Sequence, residues 1–177
     1  MDAIRIINGL LYSCHYIYVK DYGKLSDDDL LKLLQLKGYS NNYISPKFTD
    51  IHANIMRNGD WLALTDDWRG TVYHSKQLKK AMKLLAKEFE VLRTTVGDAD
   101  DSFQFYYYVG GKEVRAFHYD VWGTRPPRVI TNSGTPFRCE ADFNLKDNPW
   151  GHIQSVAKEV GIDSEKLTSS LKSYIMR

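Results

Sequence analysis

The sequence predicts an α+β fold, an antiparallel sheet with a central β-hairpin, covered by an amphipathic helix and a C-terminal helix pair. Three observations indicate it: strand-like runs flank Gly110-Gly111, apolar residues recur at helical spacing after Ser75, and two helical segments follow Asn148. With 177 residues, 43% of them hydrophobic, the chain suits a single globular domain over 1–177. A helical subregion at 148–177 is the one subdivision we consider.

The first third of the chain contains strand and cap signals. Tyr, Ile and Val enrich Leu10–Lys20, which predicts a strand. Ser26 is an N-cap candidate for a short helix that stops at Lys37-Gly38. We expect Tyr39–Asp60 to be loop with one helical turn around His52–Arg57, and Trp61–Thr65 to be a buried strand.

The clearest helix is predicted from the Ser75 cap to about Glu88. One side is apolar and the opposite side is lysine-rich, as expected of a helix on a core. We interpret the lysines as a solvated face in preference to a phosphate-binding one. The apolar side holds Leu78, Met82, Leu85 and Phe89, and the other holds Lys76, Lys80, Lys83 and Lys87.

The run after a strand at Glu90–Val96 predicts a hairpin whose turn is Gly110-Gly111, because both residues can take positive φ. On the core face we expect the pairs Val109–Lys112, Tyr107–Val114, Phe105–Ala116 and Phe103–His118. On the other face we expect Tyr106–Arg115 and Tyr108–Glu113, with Arg115 over tyrosine rings. This register makes His118 a buried, hydrogen-bonded histidine.

The last third is expected to be loop from Trp122 to Asp147, with short strands at Val129–Thr131 and Phe137–Glu140. Asn148-Pro149 then starts a helix that Gly161 ends, and its buried stripe is Ile153, Val156, Ala157 and Val160. Asp163 is predicted to cap a last helix with Leu167, Leu171, Tyr174 and Ile175 inward.

The acidic run Asp98-Ala99-Asp100-Asp101 raises the question of a metal site. A helix-loop-helix calcium loop needs Gly at its sixth position and Glu at its twelfth, whereas counting from Asp98 gives Phe103 and Val109. We therefore interpret the run as a turn, since Asp competes well for local backbone hydrogen bonds. A two-metal site is the alternative, built from Asp98, Asp100, Asp101, Asp120, Glu140 and Asp142.

Signatures of other chemistry are absent from the sequence. It has no Walker loop, no Gly-x-Gly-x-x-Gly, no Gly-x-Ser-x-Gly and no His-Glu-x-x-His. Cys139 could pair with His118 or His152, but nothing local supports a thiol–imidazole pair. We expect no enzyme activity, no metal ligand and no cofactor.

Charge and cysteine content restrict the partners and the compartment. A net charge of +2 makes nucleic acid an unlikely partner and gives no reason to expect membrane binding. The longest uncharged stretch near the N-terminus, Ile6–Val19, is too short and polar to span a bilayer. Two cysteines form no disulfide framework, so we expect a cytoplasmic protein.

The segment from Val156 to Leu167 resembles the helix-turn-helix of bacterial repressors, with small Ala157 and a Gly161 turn. That resemblance implies a DNA-binding regulator whose second helix presents Glu165, Lys166, Ser169 and Lys172. The helix is poor in the Arg and Asn that read bases, and Ser170 stands where a buried aliphatic is usual. We favour an ordinary αα-hairpin.

The central block resembles small bacterial immunity-type proteins through "GDWLALTDDW", "DSFQFYYYVGGKEVRAFHYD" and "GTPFRCEADF". The resemblance implies a non-catalytic, stoichiometric inhibitor that binds and blocks a toxin. An acidic, Tyr-rich rim would suit a basic toxin domain. The partner-binding residues we predict are Asp66, Asp67, Trp68, Asp98, Asp100, Asp101, Tyr106 and Tyr108. The alternatives are the DNA-binding regulator and a metal-dependent hydrolase using the acidic turn.

Overall fold

The computed structural model describes residues 6–7, 10–11, 15–34, 39–41, 52–65, 76–97, 100–123, 125–145, 147–163, 166 and 172–176. Their strands are β1 (Ile6–Ile7), β2 (Leu10–Leu11), β3 (His15–Lys20), β4 (Tyr39–Asn41), β5 (His52–Asn58), β6 (Trp61–Thr65), β7 (Glu90–Val96), β8 (Phe103–Val109), β9 (Lys112–Asp120), β10 (Arg128–Gly134) and β11 (Lys172–Met176). Their helices are α1 (Asp27–Leu33), α2 (Lys76–Glu88), α3 (Pro149–Glu159) and the short 3-10 helix η1 (Arg138–Asp142).

Nine of these strands form one sheet in the order β10-β9-β8-β7-β3-β6-β5-β11-β4, and β1 pairs with β2 separately. Every pairing within the sheet is antiparallel. The α+β class with an antiparallel sheet, predicted from the sequence, is confirmed. β8 and β9 form the predicted hairpin.

Each face of the sheet carries its own apolar core. On the α3 face, Tyr16 and Tyr18 of β3 pack with Phe103, Phe105 and α3. On the α2 face, Ile17 and Val19 of β3 pack with α1 and α2. β3 is therefore buried on both sides, which explains why its sequence from Tyr16 to Val19 consists of aromatic and aliphatic residues and does not alternate with polar ones.

The predicted helix starts are confirmed where the structure describes them. Ser26 accepts from the Asp29 N–H and the Asp29 carboxylate accepts from the Ser26 N–H, which makes a capping box for α1. Asn148 accepts from the Gly151 N–H and Pro149 occupies the first turn of α3. The α2 face buries Leu78, Met82 and Leu85 as predicted, and the cap Ser75 lies outside the described residues.

The Gly110-Gly111 turn is confirmed, with φ of 56° and 77°. The predicted pairs Val109–Lys112 and Tyr108–Glu113 form, and beyond them a β-bulge inserts Val114 into β9. Tyr107 therefore lies opposite Arg115 instead of Val114. The rest of the predicted register is wrong by one residue: the observed pairs are Tyr106–Ala116, Phe105–Phe117, Gln104–His118 and Phe103–Tyr119.

The bulge exchanges the faces of the residues after it, because strand side chains alternate. His118 pairs with Gln104 on the α2 face and is partly exposed, so its predicted burial on the core face beside Phe103 is wrong. Arg115, predicted to lie over tyrosines on the other face, is on the α3 face and 2% exposed.

Buried Arg115 is held by a full set of acceptors. Its Nε donates to Glu140 Oε1 at 2.8 Å and its Nη2 pairs with Glu140 Oε2. Its Nη1 donates to Asn132 Oδ1 at 2.8 Å and to the Ser133 carbonyl at 2.7 Å. The guanidinium carbon lies 5.8 Å and 5.7 Å from the ring centres of Phe105 and Phe117. One side chain thereby joins β9, β10 and η1.

Other sequence predictions are wrong at the two flanks of the sheet. His52–Asn58 is strand β5, paired with β6 through a two-residue turn at Gly59, where we expected a helical turn. Lys172–Met176 is strand β11, so Tyr174 and Ile175 are not helical. The segment predicted as a strand at Phe137–Glu140 instead leads into η1, whereas the strand at Val129–Thr131 is confirmed within β10. Leu167 and Leu171 lie outside the described residues.

Removing one partner of the Arg115–Glu140 pair should be strongly destabilising. We expect Glu140→Gln to lower the free energy of unfolding by about 3 kcal/mol, because it leaves a buried guanidinium uncompensated. Denaturant titration of Glu140→Gln and of the double variant Arg115→Met with Glu140→Leu provides the test. A double variant less stable than Glu140→Gln would contradict this explanation, since the double variant removes both charges.

Gly134 is a position where only glycine fits. Its φ is 82°, and a Cβ built there would lie 2.0 Å from the carbonyl oxygen of Val114, the bulged residue. We expect Gly134→Ala to cost about 2 kcal/mol more unfolding free energy than Gly110→Ala, because both have positive φ but only Gly134 has no space. Equal losses in thermal or denaturant unfolding would contradict the role of the close contact.

Candidate functional site

The acidic run forms a hydrogen-bonded turn, as predicted for the two aspartates that the structure describes. The Gly97 N–H donates to the Ser102 carbonyl at 2.7 Å and closes the turn. The Asp100 carboxylate accepts from the Ser102 N–H at 3.0 Å and from its hydroxyl at 2.9 Å. Asp101 has a φ of 57° and is exposed. Asp98 lies outside the described residues.

The turn lies against the loop that follows β9. The Val121 N–H donates to the Ser102 hydroxyl at 2.9 Å, and the Asp120 carboxylate accepts from the Gly123 N–H at 3.1 Å. Trp122, which lies between Val121 and Gly123, is 74% exposed. Asp100, Asp101, Asp120 and Trp122 therefore form one end of the hairpin, which we call the acidic surface.

The two predicted tyrosine anchors lie elsewhere. Tyr106 and Tyr108 are on the α2 face and partly buried, and Tyr108 is roughly 20 Å along the strand from Asp101 at about 3.3 Å per residue. Burial raises the pKa of both phenols, and the charge of Glu113 raises the pKa of Tyr108 further. The structure thus separates these tyrosines from the acidic turn. Asp66, Asp67 and Trp68 lie outside the described residues.

The tyrosines are also committed to neighbours on their own face. The Tyr106 hydroxyl donates to Gln104 Oε1 at 2.9 Å, and the Arg93 guanidinium carbon lies 5.5 Å from the Tyr106 ring centre. The Tyr108 hydroxyl donates to Glu113 at 3.0 Å. These contacts explain the tyrosine-rich sequence of β8 without a partner.

Sequence reasoning missed Trp122 as an exposed aromatic residue. The signal was available: Trp122 lies in a segment predicted to be loop, where no strand or helix pattern would bury an indole. Asp120 was considered only as a possible metal ligand. The place of Asp120 and Trp122 beside the turn of Asp100 and Asp101 depends on the contact between Val121 and Ser102, which links two segments that the sequence separates.

The structure also defines what the titratable residues can do. Among the described residues, no three or more His, Cys, Asp or Glu side chains are grouped so as to hold a metal ion.

Within the part of the chain that the structure describes, no helix is both long and apolar enough to cross a membrane. Comparison with family models, curated proteins and solved structures finds no match.

Cys139 and His152 line the same groove of about 480 Å³ between η1 and α3. The His152 ring stacks on Phe143 at 4.3 Å between centres, and its Nε2 donates to the Asn144 carbonyl at 2.8 Å. Burial and a hydrogen bond to the Glu159 carboxylate raise the pKa of the Cys139 thiol to about 12. A thiol that stays protonated at neutral pH is a poor nucleophile.

The Glu159 carboxylate connects α3 to η1. Although partial burial would raise the pKa of its carboxyl, hydrogen bonds from the backbone N–H groups of Cys139 and Arg138 lower it overall. Those bonds, at 2.9 Å and 2.8 Å, attach the start of η1 to the end of α3. The carboxylate beside the Cys139 thiol is therefore explained by the hydrogen bonds that attach η1 to α3.

We expect Cys139 to react with iodoacetamide about a hundredfold more slowly than an unperturbed thiol near neutral pH, because its thiolate is scarce. The measurement uses Cys14→Ser, which leaves Cys139 as the remaining cysteine. Adding Glu159→Gln should accelerate alkylation, since it removes the negative charge that raises the thiol pKa. A rate that reaches its plateau below pH 8 would contradict a protonated thiol.

Proposed function

We propose that this chain is a non-catalytic binding protein that captures a partner protein through the acidic surface. The observation that carries the proposal is Trp122, which is 74% exposed on the loop that Val121 attaches to the turn of Asp100 and Asp101. Large exposed aromatic residues are enriched at interface centres, where they contribute most of the binding energy.

The charge of this surface supports a basic partner. Two carboxylates lie on the turn and a third, that of Asp120, lies at the end of β9; Asp101 is exposed. Such a cluster favours a positively charged surface and accelerates encounter with it. The turn also has internal hydrogen bonds, so a partner would meet a largely preorganised surface.

The partner class we propose is a toxin, with this chain as its stoichiometric inhibitor. The proposal at this level rests on the sequence resemblance to immunity-type proteins and on the fit between an acidic surface and a basic, nuclease-like toxin domain. A cytoplasmic location, predicted from the cysteine content, agrees with that role.

The DNA-binding alternative is not favoured by any observation on the described residues. Lys172, predicted to lie on a recognition helix, is in β11, between β5 and β4. Lys166 forms an ion pair with Asp163 at 3.0 Å. The hydrolase alternative likewise lacks a metal-binding group among these residues.

The direct test is a pull-down with the tagged full chain from the cell that makes it, with and without nuclease treatment. We expect a stoichiometric protein partner that is retained after nuclease treatment. Retention of nucleic acid without a protein partner would contradict the proposal.

The contact residues are tested with that partner by calorimetric titration. We expect Trp122→Ala to weaken binding by about thirtyfold, the loss typical of a central aromatic contact. The double variant Asp100→Asn with Asp101→Asn should weaken it by about tenfold, mainly through slower association. Asn keeps an acceptor oxygen for Ser102 and tolerates the positive φ of Asp101, so the turn should persist.

A matched control is Lys80→Gln with Lys83→Gln on the exposed side of α2, which should leave affinity unchanged. Circular dichroism of each variant confirms the fold. Unchanged affinity in both acidic-surface variants would place the interface elsewhere.

A further inference from the structure

Strand β10 is an edge of the nine-stranded sheet. Within the part of the chain that the structure describes, it pairs with β9 alone. Six of its seven residues are exposed, and the apolar side chains of Val129 and Ile130 are 38% and 45% exposed. An edge strand of this length offers a row of backbone N–H and C=O groups to another extended chain.

An apolar groove of about 460 Å³ runs beside this edge on the α3 face. Its apolar lining comes from Phe117, Val129, Pro136, Phe143 and Leu145, and the Arg115–Glu140 pair lies among them. The guanidinium is already bonded to Glu140, Asn132 and Ser133. The groove therefore suits apolar side chains, which a strand added to β10 would present at every second residue.

The charged residues of the segment that forms the edge are all basic, with Asp120 of β9 opposite Arg128. Residues 125–138 include Arg125, Arg128 and Arg138, all exposed, and contain no Asp or Glu. Antiparallel pairing of two copies of β10 would place Arg125 and Arg128 of one copy near the end from which Arg138 of the other extends, which disfavours a second copy. An extended segment carrying Asp or Glu would be attracted instead.

We infer that β10 accepts an extended, acidic segment of a partner protein as a tenth strand. Its main chain pairs with the open edge, and its alternate apolar side chains enter the groove. Its acidic side chains lie on the opposite face, toward Arg128, while Arg125 and Arg138, before and after the strand, add to the attraction. The bulge between Val129 and Thr131 confines regular pairing to the part of the strand from Thr131 to Gly134. Arg128 lies opposite Asp120 of the acidic surface, but the open edge attracts an acidic segment, whereas the acidic surface attracts a basic one.

The probe is a fluorescein-labelled peptide as long as β10, seven residues, in which Glu and Val alternate. Binding to the full chain is followed by fluorescence anisotropy and by backbone amide shifts in NMR spectra. We expect saturable binding at or below about 1 mM, where weak complexes are populated, with shifts at β10. The same peptide with Lys in place of Glu should not bind. Absence of binding by the Glu peptide, or equal binding by both peptides, would overturn the inference.

Strand addition itself is tested with two further peptides, N-methylated on the Val residues or on the Glu residues. Successive N–H groups of a strand point to opposite edges, so only one of the two peptides loses its pairing edge. One peptide should bind and the other should not. Equal behaviour of the two would overturn strand addition.

The arginines are tested by Arg125→Gln, Arg128→Gln and Arg138→Gln in combination, which we expect to weaken peptide binding by about tenfold. The matched control replaces Lys80, Lys83 and Lys87 of α2 by Gln and should leave binding unchanged. Asp100→Asn with Asp101→Asn should also leave it unchanged, which distinguishes this site from the acidic surface. Equal loss in the arginine and lysine variants would overturn the site.

Discussion

The ion pair of Arg115 with Glu140 is the interaction on which the β9–β10 end of the molecule depends. A guanidinium that is only 2% exposed is stable only with a nearly complete set of acceptors, and these come from β10 and η1. Glu140 also accepts from the Phe137 N–H at 2.8 Å, so it attaches the start of η1 at the same time. This one buried charge, on β9, is thereby bonded to both β10 and η1.

Local sequence patterns were sufficient to predict some elements of the fold and not others. Caps and helical periodicity are local, so Ser26, Asn148 and the apolar side of α2 could be interpreted from the sequence alone. No local sequence pattern indicates the bulge at Val114. What stabilises it is the burial of Arg115 against Glu140, a residue 25 positions further along the chain. Reasoning from alternation alone therefore placed Arg115 and His118 on the wrong faces.

The candidate site shows a similar division. The turn at Asp100 and Asp101 was predictable because aspartates satisfy their own backbone neighbours. The residues that lie beside the turn could not be predicted from the sequence, because the pairing of β8 with β9 is what brings Trp122 to the turn. The tyrosines of β8 looked like partners of the turn because they are near it in sequence. In an extended strand, however, a residue seven positions from the turn, such as Tyr108, lies roughly 20 Å away from it at about 3.3 Å per residue.

The place of β11 has a consequence for how the sheet is made. β11 lies between β5 and β4, and its Tyr174 hydroxyl donates to Asp27, the first residue of α1. The two strands that it joins emerge from the ribosome more than a hundred residues earlier, so β5 has an open edge throughout that interval. Such long-range closure slows folding and leaves a transient surface for wrong pairing. Synthesis order therefore makes the β5-β11-β4 flank of the sheet the last part to be completed, although β4 and β5 are synthesised early.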